Sequence, residues 1–190
     1  MLVKVLDRYK FVLLQVWDIC SKPNDTLSYE SLLNTFYGKK ILKHFILPLA
    51  ELFLVATFVV TLISIDFNVV ESLVKSILSY FSFIVSYGVL VILTQRITIM
   101  FFGVDITQRN ATIMSSVLMT IVFVVKILSL LMPYFSIFYL YTFYLVWVMS
   151  EGVVDISEDK RNKYMVLLSL LVIFAPIVIE KIFKFLTPNL

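Results

Sequence analysis

The chain has 190 residues and a formal net charge of +3, with 61% hydrophobic but only 15% charged residues. Soluble globular domains carry about 25% charged residues, so this composition excludes that class. The basic residues form no dense run of the kind that binds nucleic acid, so no nucleic-acid partner is expected. The length is that of one membrane domain without a second, soluble domain.

Residues 1–40 are predicted to form a cytoplasmic or interfacial amphipathic segment that precedes a membrane domain at 41–190. Along 1–20, most polar side chains fall on one arc of a helix and most apolar side chains on the other. Such a helix can lie among lipid headgroups or pack on the membrane domain, and the sequence leaves both placements open. Pro23 breaks this helix, and a second short helix is predicted at about 26–38.

Five long apolar stretches follow, separated by short polar breaks. A bilayer core of about 30 Å needs about 20 apolar residues in a helix. In lipid, only helices satisfy their own backbone without closing into a barrel. The chain is therefore predicted to be an all-α, polytopic membrane protein with five transmembrane helices after the amphipathic N-terminal helix. The predicted spans are about 45–65, 76–96, 111–132, 133–151 and 164–186.

Three later helix starts carry the spacing of a capping box, in which an N-cap side chain and the third helical residue satisfy free backbone N–H groups. Pro133 stands where the fourth span would begin, and a proline in the first turn loses no hydrogen bond. The capping pairs are Asn68 with Glu71 (helix about 68–100), Asp105 with Gln108, and Asp155 with Glu158 (helix about 156–186).

Two prolines, Pro48 and Pro176, fall inside the predicted first and last spans. A proline inside a helix removes one backbone hydrogen bond and crowds the preceding turn, so both are predicted to kink their helices. A kink of this kind either opens a cavity or only adjusts the packing.

The distribution of basic residues predicts the orientation. With the N-terminus inside, twelve lysines and arginines lie on the inner side and four on the outer side. This asymmetry follows the positive-inside rule. Five spans then place the C-terminus outside, as in a multi-pass protein of the cell membrane with a cytoplasmic N-terminus.

Two charged residues, Glu51 and Lys126, lie inside predicted spans, where charges are costly and are candidates for function. Their positions in spans one and three differ by about 12 Å in depth, which is too far for a direct salt bridge. Glu51 is better placed to meet Arg96, at the inner end of span two. Lys126 can extend its ammonium toward the outer interface. For both residues, a packing role without further function stays open.

A polar and aromatic face is predicted on the fourth span, where Tyr141, Tyr144, Trp147 and Glu151 follow helical spacing. One interpretation is the lining of a site for a ligand or lipid headgroup. The other is helix packing together with an aromatic belt at the membrane interface.

Catalytic motifs are absent from the sequence: it holds no Gly-rich phosphate loop, no HExxH and no GxSxG. One histidine and one cysteine do not form the usual zinc sites. We therefore expect neither enzymatic activity, nor a metal site, nor a cofactor.

Several stretches of the chain follow the pattern of a known family. They are Trp17, Pro48-Leu49-Ala50, the aromatic stretch Leu140–Trp147, Glu151-Gly152 and the charged turn from Asp155 to Tyr164. In these stretches the chain resembles the Yip1-domain family, which are five-span membrane proteins with a cytosolic N-terminus. In place of the Ala-Tyr-Ser and proline of many members, helix three reads Phe123 to Ser129, so no role of that motif is implied here. The short N-terminal region is similar to the bacterial form, which implies a bacterial inner membrane.

The sequence favours a non-enzymatic integral membrane protein that organises the membrane or recruits a partner. Its expected partners are the lipid bilayer and either an unknown protein or a second copy of the chain. The alternative is a small transporter, channel or lipid-handling protein that uses Glu51, Lys126 and a polar cavity between helices. One cleft shared by Glu51, Arg96, Tyr144 and Glu151 would favour this alternative, whereas separate contacts would favour the first function.

Overall fold

The computed structural model describes residues 2–36, 41–64 and 67–186, and every regular element in them is helical. The fold class is therefore all-α, as predicted. The predicted helix end at residue 38 and the domain boundary after residue 40 lie outside the described residues. In chain order, the elements are α1 (Leu2–Ser21), α2 (Pro23–Thr26), α3 (Tyr29–Phe36), a π turn (Leu42–Ile46) continuing into α4 (Leu47–Ser64), α5 (Val69–Phe102), α6 (Gln108–Leu131), a 3-10 helix (Pro133–Leu140) continuing into α7 (Tyr141–Gly152), and α8 (Glu158–Leu186).

Four helices of the described chain are long and apolar enough to cross a membrane. They correspond to the predicted spans one, two, three and five, so the prediction of a membrane protein holds at this level; predicted span one ends at residue 65, outside the described residues, and predicted span three ends one residue beyond its helix. Their bounds are Leu42–Ser64, Val69–Phe102, Gln108–Leu131 and Glu158–Leu186.

The predicted fourth span, 133–151, differs from a continuous α-helix. Its first eight residues form a 3-10 helix, and only Tyr141–Gly152 is α-helical. The run after Pro133 is mostly aromatic and β-branched, and such residues have low helix propensity. In addition, the Ser136 hydroxyl donates to the Pro133 carbonyl at 2.7 Å and competes for that acceptor.

The start of the first span reflects the chemistry of Pro48. A proline cannot donate to the carbonyl four residues earlier, and its ring crowds that carbonyl. The helix widens at this point into the π turn of Leu42–Ile46, in which the N–H of Leu47 donates to the carbonyl of Leu42. The predicted irregularity at Pro48 therefore takes the form of a π turn. Pro176 lies buried inside the continuous α8.

The capping predictions have different outcomes. Asn68 caps α5 as predicted, because its side chain accepts a hydrogen bond from the Glu71 N–H at 3.2 Å. The predicted cap of α6 was wrong: Thr107, not Asp105, accepts from the backbone of the first turn. Asp155 is no cap either, since its φ of 53° places it in the left-handed region and α8 begins at Glu158.

The bundle has two ends, which we call proximal and distal. At the proximal end, Phe102 of α5 meets Tyr164 of α8 edge-on, with ring centroids 5.0 Å apart. Toward the distal end, Lys126 of α6 contacts Glu180 of α8. The proximal end therefore holds the loop between α5 and α6, and the distal end holds the end of α6. The proximal end is the inner one in the predicted orientation, and the distal end is the outer one.

Helix α6 is the centre of the bundle: 67% of its most apolar window is buried, against 33% in each of the other three candidate spans. Small hydroxyl residues lie where it meets α5. Tyr87 contacts the Ser116 hydroxyl at 3.2 Å, and Ser115 donates to Thr94 at 3.4 Å. Such residues allow close helix approach and satisfy one another across the contact.

The N-terminal helix α1 packs on α4 and α6. Val12 and Ile19, on the side of α1 that faces the bundle, are fully buried. Leu13, Leu14 and Trp17 are exposed on the side that faces away from the bundle, which we call the outer side of α1. Of the two placements that the sequence left open, packing on the membrane domain is thus present in the structure.

The central position of α6 gives a stability prediction. We expect Leu118→Ala, at a fully buried position, to destabilise the fold by about 2–5 kcal/mol, because it leaves a cavity. The matched control is Leu131→Ala on the same helix, where the side chain is 63% exposed, and its effect should be within about 0.5 kcal/mol. Thermal unfolding in detergent measures both, and equal effects would contradict the central position of α6.

Candidate functional site

The carboxylate of Glu51 holds the N-terminal helix against the first span. Its Oε2 accepts a hydrogen bond from the Tyr9 hydroxyl at 2.6 Å, and its Oε1 lies 3.4 Å from Nη2 of Arg8. The sequence predicted Arg96 as the partner, but that residue lies exposed on α5 and the contacts of Glu51 are with α1. The reason is that α1 packs directly on α4, which no pattern in either segment predicts.

The height of this contact explains why the carboxylate needs partners. Phe53, two residues after Glu51, packs on Phe83 of α5 with ring centroids 5.5 Å apart. Phe83 lies about 21 Å from the start of α5 and about 28 Å from its end at 1.5 Å per residue. Glu51 therefore lies close to the mid-height of α5, where an unpaired charge is costly.

The hydrogen bond to Glu51 raises the pKa of Tyr9 above its ordinary value, and burial acts in the same direction. The phenol therefore stays protonated at neutral pH and remains a donor. Arg8 completes the group, since its guanidinium lies 5.9 Å from the centroid of the Tyr9 ring.

Lys126 belongs to a second, separate ion pair. Its Nζ donates to Oε2 of Glu180 at 2.9 Å and lies 5.8 Å from the ring centroid of Phe53. The other carboxylate oxygen of Glu180 accepts from Lys184 at 2.8 Å. The Lys126 side chain is only 14% exposed, so it pairs inside the bundle and does not extend to the outer interface as predicted.

Two tyrosines on the predicted polar face of the fourth span also contact the N-terminal segment. The Tyr141 hydroxyl donates to the carbonyl of Cys20 at 3.2 Å, and the Tyr144 hydroxyl donates to Oδ1 of Asn24 at 2.9 Å. Together with Glu51, they fix α1 and α2 to the membrane domain at three places.

Glu151, the last residue of that face, lies at the corner between α7 and α8. Its Oε2 is 3.5 Å from Nη1 of Arg161, and this guanidinium lies 5.4 Å from the centroid of the Trp147 ring. Glu151 itself is largely exposed. The contact joins two helices, and its partners differ from those of Glu51, which lie on α1.

A cavity of about 520 Å³ lies toward the distal end, between α4, α5, α6 and α8. We call it the distal cavity. None of the residues singled out from the sequence lines it, although Lys126 reaches its edge through Glu180. Its polar lining residues are Thr57, Thr61, Lys75, Ser79, Ser82, Glu180 and Lys184, and its apolar ones are Leu78, Leu130 and Phe183.

One signal in the sequence could have indicated the distal cavity. Ser72, Ser76, Ser79, Ser82 and Ser86 recur every three or four residues in span two, which places them on one face of α5. A serine stripe inside an apolar span indicates a face turned toward protein or a cavity, since lipid offers hydroxyl groups no partner.

The chain matches no protein-family model, no curated protein and no solved structure. Functional inference for this protein therefore depends on its own contacts. These contacts join Glu51, Tyr141 and Tyr144 to the N-terminal segment and join Glu151 to α8. Arg96 lies exposed on α5.

The Glu51 contact predicts the effect of Tyr9→Phe. Removing a hydrogen bond to a charged group costs about 1.5–3 kcal/mol, so α1 should open more often. We expect faster amide hydrogen exchange in 2–21 and unchanged exchange in α6. The matched control is Tyr134→Phe, because that tyrosine is 88% exposed. Unchanged exchange in α1 would contradict an anchoring role for the contact.

Proposed function

We propose that the chain is a non-enzymatic integral membrane protein that works by contact, organising the membrane or recruiting a partner. One observation carries the proposal: polar side chains of the membrane domain hold the N-terminal segment in place through separate contacts. The contacts are Glu51 with Tyr9 and Arg8, Tyr141 with Cys20, and Tyr144 with Asn24.

The segment held in this way offers a surface for contact. Leu13 and Leu14 are each 51% exposed and Trp17 is 68% exposed, all on the outer side of α1. Adjacent large apolar side chains of this kind mark sites that contact lipid or protein. A helix that is already fixed loses less conformational freedom on binding than a free one, so its anchoring favours recognition.

We further propose five passes, with the segment 133–152 as the fourth. Eight residues of 3-10 helix and twelve of α-helix have a combined length of about 34 Å, sufficient for a hydrocarbon core of about 30 Å. The segment begins beside the distal end of α6 and ends where Glu151 meets Arg161. With the positive-inside asymmetry, this gives a cytoplasmic N-terminus and an outer C-terminus.

The resemblance to the Yip1-domain family is consistent with this proposal. It implies five spans, a cytosolic N-terminal region and a bacterial inner membrane. An amphipathic N-terminal helix is part of the same proposal, held against the membrane domain by the contact of Tyr9 and Arg8 with Glu51.

A second candidate function is the handling of a lipid or another small ligand. The observation that favours it is the distal cavity, which borders the ion pair of Lys126 with Glu180. Of the two intramembrane charges, only Lys126 then contributes, because the contacts of Glu51 are with α1.

The number of passes is tested by cysteine labelling in a Cys20→Ser background. Lys160→Cys and Phe185→Cys place thiols at the two ends of α8, both at exposed positions. With five passes, a membrane-impermeant maleimide labels only the second in intact cells and labels the first after permeabilisation. The reverse pattern would contradict the proposed topology, because it requires either that 133–152 does not cross the membrane or that the N-terminus lies outside.

The contact function is tested by a photoreactive amino acid introduced at Trp17 in living cells. We expect a crosslink to a protein, either a second copy of the chain or another polypeptide, because this position is on the outer side of α1. The control position is Ile92, which is 60% exposed on α5 and should crosslink only to lipid. Equal protein crosslinks at both positions, or none at Trp17, would contradict the proposal.

A further inference from the structure

We infer that the distal cavity binds a phosphate compound with a net charge of −1, either an anionic lipid headgroup or a soluble compound. This inference rests on the second candidate function and is independent of the contact function of α1.

Charge is the first argument. The cavity is lined by two ammonium groups, Lys75 and Lys184, and by one carboxylate, Glu180. Glu71 pairs with Lys75, and Lys126 pairs with Glu180. These two partners carry opposite charges, so including them does not change the net charge around the cavity. The cavity therefore has one excess positive charge, which one monoanion would neutralise.

The ion pairs around the cavity leave donors for a ligand. Lys75 donates to Glu71 at 2.6 Å and Lys184 is 2.8 Å from Glu180, with side chains that are 41% and 74% exposed. An ammonium group has three N–H donors, so each lysine can bind a ligand oxygen without breaking its existing pair.

Two buried hydroxyl groups are the second, independent argument. Thr57 is 4% exposed and Ser82 is 1% exposed; both line the cavity, and neither hydroxyl has a hydrogen-bond partner among the described residues. By contrast, the nearby Thr61 hydroxyl donates to the Thr57 carbonyl at 2.7 Å. Five hydroxyl groups of the described residues are buried without a partner, and Thr57 and Ser82 are the two of them that line the distal cavity. Such groups are uncommon in folded proteins, and beside a cavity they point to a bound polar species.

The arrangement of these groups suits a phosphate. Ser82 lies about 10 Å further along α5 than Lys75, so hydroxyl donors stand at the inner part of the cavity and ammonium groups near its distal rim. Phosphate oxygens accept from both kinds of donor. The volume of the cavity, about 520 Å³, is larger than the volume that several water molecules occupy in the liquid, and it is in the range of ligand pockets. Leu78, Leu130 and Phe183 supply apolar wall for the remainder of a ligand.

The test uses the full chain, purified in an uncharged detergent, with binding followed by the unfolding temperature. The probes are phosphatidylglycerol and phosphatidylcholine in mixed micelles, and inorganic phosphate alone. We expect phosphatidylglycerol or phosphate to raise the unfolding temperature, and phosphatidylcholine, which has no net charge, to have little effect.

Matched lysine variants show whether binding occurs in the cavity. Lys75→Gln and Lys184→Gln should each weaken the apparent affinity by about tenfold, as expected for the loss of one charge-assisted hydrogen bond. Lys181→Gln is the control, because this exposed lysine of α8 does not line the cavity. Equal losses in all three variants would overturn the inference, since the lipid would then respond to general surface charge.

The hydroxyl variants separate binding from folding. Thr57→Val and Ser82→Ala remove groups that have no partner in the empty bundle, so the unfolding temperature without ligand should stay the same or rise. The affinity for the anionic probe should fall in both.

Each outcome has a defined meaning. Stabilisation by phosphate alone that depends on Lys75 and Lys184 identifies a soluble phosphate compound as the ligand class. Stabilisation only by phosphatidylglycerol identifies a lipid. No stabilisation by either probe overturns the inference, while leaving the crosslinking result at Trp17 unaffected.

Discussion

Polar groups within this apolar bundle must find their partners inside the protein, because hydrocarbon offers none. The largest consequence is at Glu51, close to mid-height on α4. Its carboxylate is satisfied by Tyr9 and Arg8 from α1, so the N-terminal helix is drawn against the spans. The same requirement joins Lys126 of α6 to Glu180 of α8. Many serine and threonine hydroxyls in the spans meet it locally by donating to the carbonyl four residues earlier, as Ser76 and Thr98 do.

Local chemistry in the sequence predicts helices better than it predicts their partners. The bounds of α5 follow from the Asn68 cap and the length of the apolar run, and both are local features. The predicted fourth helix failed over 133–140 because hydropathy measures burial and not helix propensity. The aromatic and β-branched run after Pro133 is strongly hydrophobic but has low helix propensity. Thr107 replaced Asp105 as a cap for a similarly local reason, since several residues of that loop have side chains able to cap.

The candidate site was harder to predict because its contacts join distant parts of the chain. Glu51 and Tyr9 are 42 positions apart, and Tyr144 and Asn24 are 120 apart. Helical periodicity indicates that Tyr141 and Tyr144 share a face, but not what that face contacts. Counting from the edge of an apolar stretch gives the position of Glu51 along its own helix, but not its height on the neighbouring helices. The ring contact of Phe53 with Phe83 places it close to the mid-height of α5.

Helix α4 links the two parts of the molecule on which the proposals depend. Glu51 holds α1, and Thr57 lines the distal cavity about 9 Å further along the same helix. Between them, Phe53 contacts both Phe83 and the ammonium of Lys126. A rigid helix with an apolar centre thus carries one satisfied polar contact on its proximal side and one unsatisfied hydroxyl on its distal side. The fold meets the needs of Glu51 and Lys126, whereas five buried hydroxyls have no partner among the described residues, and two of them, Thr57 and Ser82, line the distal cavity. That difference is the physical reason to look for a ligand in the distal cavity and for a protein contact at α1.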